Sequence, residues 1–167
     1  MTEQASPLVT FYKQGWENYQ QALVATIAPL SSEQLALPVA LHYLSIGGLL
    51  AHMIDARVSW FSGWMGEENA DMAHWREGWS RDEPAVHEAA ELVAMFEKTW
   101  HVISSVLDRW TSADLERLFP PPAYLSEEEP AHTRQWIVWH VLEHEIHHGG
   151  ELSLALGTYG LESFYTW

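Results

Sequence analysis

Four histidines, His140, His144, His147 and His148, fall between positions 140 and 148, with Glu151 three residues further on. An imidazole nitrogen is a good ligand for a divalent ion. Two imidazoles four residues apart on a helix stand one turn apart and about 40° apart in azimuth, close enough to share one ion. His144 and His148 have that spacing, and so do His140 and His144, so spacing alone does not choose a pair. His147 lies about 100° from His148 and is the weaker partner. Around His144, Ile137 and Ala155 fall near 20°, and Val141 and Leu152 near 60° to 80°, which gives the pair an apolar setting. Histidines on such a face are either core imidazoles bonded to backbone carbonyls or half of a metal site.

A third ligand is available on another segment. His52 lies in a stretch predicted to be helical from Ile46 to about Met65, with Ser45 as N-cap. Gly48, Ala56, Ser59 and Gly63 all fall within about 40° of it, a pattern that leaves an open groove or serves close helix packing. His52 can complete a facial set of three nitrogens with His144 and His148, leaving one or more positions for water or substrate, and three protein ligands with an open position is catalytic rather than structural geometry. Glu151, about 20° from His144 in azimuth, can serve as an acceptor behind a ligand, as a proton acceptor or as a fourth ligand. Asp55, about 60° from His52, can orient a ligand or stand in solvent.

Four long helical patterns must position these residues. Apolar residues recur at threes and fours from Leu8 to Ala28, with Ser6 and Pro7 as the start signal. The second helix is the one that carries His52. The third is predicted from Pro84 to Trp110, with Val93, Phe96, Trp100, Ile103 and Leu107 on one face, and the fourth from Thr133 to Leu156, stopping at Gly157. That last helix is apolar nearly all round, which makes its histidines costly unless they are partnered. Residues 66–83 read as a long loop able to cover the mouth of a site, with His74 facing solvent. His87 and His101 stand too far apart on one helix to share an ion and read as surface or partly buried. The aromatic tail from Tyr159 to Trp167 is expected to fold back or meet another subunit. No strand is predicted, and so no phosphate loop following one.

Composition narrows the chemistry. The chain has 167 residues, 47% of them hydrophobic, and fits one globular domain. Its formal charge of −15 opposes binding to nucleic acid or an anionic membrane. There is no cysteine, so a thiol taking part in its chemistry comes from outside. The N-terminus carries no signal-peptide pattern and no stretch is long and apolar enough to span a bilayer, so a cytoplasmic protein is expected.

The chain resembles the DinB/YfiT-like family of helical metal-binding proteins. The match rests on His52 within Leu49-Leu50-Ala51-His52-Met53, on Trp60, on the run from Trp136 through His140 and His144 to His147-His148, and on the order of the four helices. The resemblance implies an all-α four-helix bundle with a long crossover connection, one domain over residues 1–167, with His52, His144 and His148 holding a divalent ion. Where family members often continue His-His-Arg-Gly-Gln, this chain has Gly149, Gly150 and Glu151, a change that leaves the ligand set intact. Imidazole ligands suit zinc or nickel. Characterised relatives include S-transferases and isomerases that use low-molecular-weight thiols. The expectation is therefore a metal-dependent enzyme that activates a small thiol or water for reaction with a small-molecule substrate, with Glu151 as the candidate base, acting as a homodimer. The alternatives are a non-catalytic metal-binding or stress-associated module and a purely structural bundle with satisfied histidines.

Overall fold

A computed structural model describes residues 7–41, 43–78, 87–126 and 128–163. Helix α1 (Pro7–Ile27) buries Trp16, Tyr19, Gln20, Leu23 and Ile27, one stripe at threes and fours. A single turn, α2 (Ser32–Leu35), is closed by a capping box in which Ser31 and Gln34 bond reciprocally. Helix α3 (Ile46–Arg57) begins at Ser45, whose hydroxyl accepts from the Gly48 amide at 3.0 Å. The helix then widens into a π-helical turn over Val58–Trp64.

After it come α4 (Ala70–Gly78), α5 (Ala89–Arg109) and the short α6 (Ser112–Leu115). Next are two brief strands, β1 (Leu118–Phe119) and β2 (His132–Thr133), and finally α7 (Arg134–Thr158). Pairing runs antiparallel, Leu118 with Thr133 and Phe119 with His132, and leads directly into α7, whose N-cap Thr133 accepts from the Trp136 amide. This small ladder, absent from the sequence expectation, fixes where α7 starts. Two-residue strands are too short to show a period-2 pattern.

Side-chain pairs give the directions. Lys13 near the start of α1 meets Asp108 near the end of α5, so these helices are antiparallel. On α3, His52 meets His144 and the following Trp60 meets His140, so α3 and α7 are antiparallel too. Arg57 meets Thr99 and Phe61 stacks on Trp110, which makes α3 and α5 parallel. The connection between these parallel helices is therefore the long crossover of an all-α four-helix arrangement, and residues 65–78, 87 and 88 of it are described. The expected loop over 66–83 contains α4, whose Met72 is buried against the core; residues 79–83 lie outside the described residues.

Several boundaries differ from the sequence reading. The expected starts at Ser6 and Pro84 lie outside the described residues, and α5 is described from Glu88, its N-cap. Helix α7 does not stop at Gly157. It continues to Thr158, and Gly160 takes the left-handed conformation at φ 69°. The Gly160 amide then donates to Gly157 O, and the Leu161 amide to Leu156 O at 2.9 Å, with Leu161 packed on the core. Tyr159, the first residue of the expected aromatic tail, folds back and donates to Pro38 O; residues 164–167 lie outside the described residues.

Candidate metal centre

His52 on α3 and His144 and His148 on α7 converge. One ligand atom from each lies within 4.8 Å of the others, and the Nε2 atoms of His52 and His144 are 3.1 Å apart. Ring centroids are 4.9 Å apart for His52 and His144, 5.0 Å for His52 and His148, and 4.3 Å for His144 and His148. The one-turn offset on α7 brings two rings together, and the antiparallel course of α3 supplies the third. These are the three histidines singled out by sequence.

Burial pushes the His144 imidazole down to about 3 from 6.5, and the adjacent His148 and His52 rings add to the effect. His144 is therefore a neutral base with a free lone pair over the whole physiological range. Its Nδ1 is buried with no hydrogen-bond partner. Three imidazoles sharing one point fit a divalent ion.

Glu151 stands behind His148. Its Oε2 accepts from His148 Nδ1 at 2.7 Å, and its Oε1 lies 3.3 Å from His147 Nε2. With Nδ1 donating to the carboxylate, the Nε2 lone pair of His148 is the one left to face His52 and His144. His147, His148 and Glu151 also lie close enough to hold an ion, and in that grouping His148 and Glu151 are already hydrogen-bonded to each other. His147 is exposed, in keeping with its azimuth, and Asp55 is half-buried.

His140 does not join the three. Its ring is 6.3 Å from that of His144 and is held in an aromatic row, stacked on Trp136 with Trp60 edge-on at 4.8 Å. Burial lowers its pKa. The row continues to His132, stacked on Trp136 at 3.6 Å, and Trp60 stacks on Trp64. A row of rings thus runs along α3 and α7 away from the histidine cluster, one use of the many tryptophans. His74 is exposed; His87 is buried and stacked on Trp75.

The small-residue groove expected around His52 is corrected in part. The π turn after Arg57 advances fewer degrees per residue than an α-helix, so Ser59 and Gly63 rotate away from the azimuth that α-helical counting gives them. A Cβ on Gly63 would lie 2.7 Å from the Tyr124 hydroxyl, and one on Gly48 would meet Ser45 and Leu44. Both glycines serve close packing. A cavity of about 460 Å³ lies instead on the opposite face of α7, between Tyr12, Trp16, Leu107 and Trp139.

Sequence reasoning missed two residues next to the centre. Arg57, taken as one of several scattered arginines, and Glu145, the neighbour of His144, form a fully buried ion pair at 2.5 Å. The signal was present in the azimuths. Arg57 falls within about 60° of Leu50, Met53 and Ile54, and Glu145 within about 40° of Val141, Leu152 and Leu156. A charge in the middle of an apolar face requires a partner.

Known proteins agree with this architecture. The model of the DinB family matches residues 1–166. The crystal structure of a DinB-like protein from Bacillus cereus ATCC 10987 superposes with a TM-score of 0.67, over 92% of this chain and 94% of that one, at 16% sequence identity. At that identity the likeness is one of fold. No curated protein matches. Among the described residues, no helix is long and apolar enough to cross a membrane.

Proposed function

The chain belongs to the DinB family, and from that premise we propose that His52, His144 and His148 hold one divalent ion, zinc or nickel. At the position these ligands leave open, a small thiol in an S-transferase-like reaction, or water, is activated for attack on a small electrophilic substrate. The observation that carries the reading is the approach of His52 Nε2 to His144 Nε2 at 3.1 Å across two antiparallel helices, with His148 in the same cluster. When bound, the ion supplies Lewis acidity that lowers the pKa of the thiol or water.

The chain's own residues supply the rest. The neutral His144 offers its lone pair without competition from protons. Glu151 orients His148, which is the role its geometry supports best among the three open to it in the sequence. The rings of Trp60, Trp136 and His140 pack together next to His144 along the same side of α7. Because the chain lacks cysteine, the sulfur nucleophile is a cosubstrate. A non-catalytic metal module would need a fourth protein ligand to close the site. His140 is engaged by two tryptophans and Glu151 by His148, which supports an open site.

The test is elemental analysis of protein purified without a histidine tag, followed by thiol-conjugation assays with electrophilic acceptors. One ion per chain and metal-dependent conjugation are expected. Metal-free protein whose His52→Ala, His144→Ala and His148→Ala variants lose nothing would sink the reading.

A further inference from the structure

We propose that Arg57 and Glu145 are positioning residues for the metal centre, a buried clasp that sets α3 against α7 so that His52 meets His144 and His148. This inference rests on the metal reading above. One ligand comes from α3 and two from α7, so the relative placement of these helices decides whether the three nitrogens share a point. Apolar packing alone is non-directional and leaves that placement loosely defined. A metal site needs its ligands held to within about 0.5 Å.

The clasp supplies direction. Arg57 Nε donates to Glu145 Oε1 at 2.5 Å and Nη2 donates to Oε2 at 2.9 Å, a two-point fork that fixes distance and angle together. Both side chains are wholly buried. The remaining donors of Arg57 reach Gln20 Oε1 on α1 at 2.7 Å, and Thr99 Oγ1 and Phe96 O on α5 at 3.1 and 3.0 Å. Trp16 Nε1 on α1 donates to Glu145 Oε2 at 2.9 Å, and Tyr19 donates its hydroxyl proton to the Glu145 backbone oxygen. One arginine and one glutamate thus tie together all four long helices. They do so at the level of the ligands, with Glu145 bonded in sequence to His144 and Arg57 five residues beyond His52.

Stability is a poor account of such a pair. Replacing a buried ion pair by apolar residues of similar volume is often neutral or stabilising, whereas fixing a register is its best-attested use. A clasp serving only the fold and a clasp serving the site therefore differ in what its removal changes.

The experiment measures zinc affinity, by competition with a chromophoric chelator, and the visible absorption spectrum of the cobalt(II)-loaded full chain. The variants are Arg57→Met with Glu145→Leu, and separately Trp16→Phe. The double variant is expected to keep its helical circular dichroism, bind zinc about 10- to 100-fold more weakly, and show a changed cobalt spectrum. Trp16→Phe keeps the aromatic contacts with Phe61 and Trp100 and is expected to weaken zinc binding about fivefold.

Wild-type affinity and an unchanged cobalt spectrum in folded variants would overturn the proposal. If the double variant does not fold, Trp16→Phe decides alone by the same two readings. A parent protein that binds neither zinc nor nickel, or binds them equally after His52→Ala, overturns the metal reading itself, and that outcome is seen without any clasp variant.

Discussion

Replacing Glu151 separates two roles that the sequence leaves open, an acceptor behind a ligand and a proton acceptor at the open position. Its Oε2 sits 2.7 Å from His148 Nδ1, with the Glu151 side chain 32% exposed and that of His148 9% exposed. A hydrogen bond to a charged group contributes about 1.5 to 3 kcal/mol and a neutral one about 1 kcal/mol. Glu151→Gln keeps an acceptor but not the charge, so about 1 kcal/mol is lost from the orientation of His148, or about fivefold in metal affinity. Glu151→Ala removes the bond altogether and is expected to cost about 10- to 100-fold, the range usual for groups behind a histidine ligand. The assay is zinc competition against a chromophoric chelator at pH 7.5, with turnover measured at saturating zinc. A graded loss of affinity, Ala worse than Gln, with turnover restored by excess metal is the expected result. Wild-type affinity in both variants combined with lost turnover would refute the argument and return Glu151 to the role of base.

Three further outcomes follow from the geometry. In the metal-free protein His144 takes a proton only near pH 3, whereas in the unfolded chain it does so near 6.5, so stability is lost as pH falls from about 6.5 towards 3. The slope is at most about 1.4 kcal/mol per pH unit and smaller because the side chain is partly exposed, and urea midpoints between pH 7.5 and 5 should fall more steeply than in His144→Asn. Gly160→Ala, at φ 69°, is expected to cost about 1 kcal/mol by strain at the end of α7, read as a lower urea midpoint without change in metal affinity. Trp139, Ile146 and Leu154 are exposed along the outer side of α7, an apolar row consistent with the homodimer expected from the sequence. Analytical ultracentrifugation should give twice the chain mass, and Ile146→Glu should return the monomer.

Much of the site was legible because its two ends obey simple helical counting. His144 and His148 sit four apart on an uninterrupted α-helix, and His52 lies ahead of the π turn, so about 100° per residue suffices to anticipate that the three rings come together. The same counting fails beyond Arg57, where Ser59 and Gly63 lie in or beyond the widened turn. A π turn leaves no simple periodic mark; here it accompanies a stack of Trp60 on Trp64, with Trp60 edge-on to Trp136 of α7. The end of α7 was misread for a different reason. Gly157 and Gly160 are both acceptable stop signals, and the choice depends on Leu161 reaching the core, a long-range contact.

The depressed pKa of His144 and the fitness of the cluster for a metal have one physical source. Burial and two neighbouring imidazoles make a proton on His144 unfavourable. A proton sits between at most two of the rings. A divalent ion uses one lone pair from each of the three rings at once, so the proximity that opposes protonation favours coordination. The surrounding fold supports that arrangement rather than neutralising it. The carboxylate of Glu145, which lies next in sequence, is bound by Arg57 and Trp16 and turned away from the cluster, while Glu151 approaches His148 from behind through Nδ1. Negative charge in this region therefore holds and orients the ligands, and the three facing nitrogens remain the donors offered to the ion.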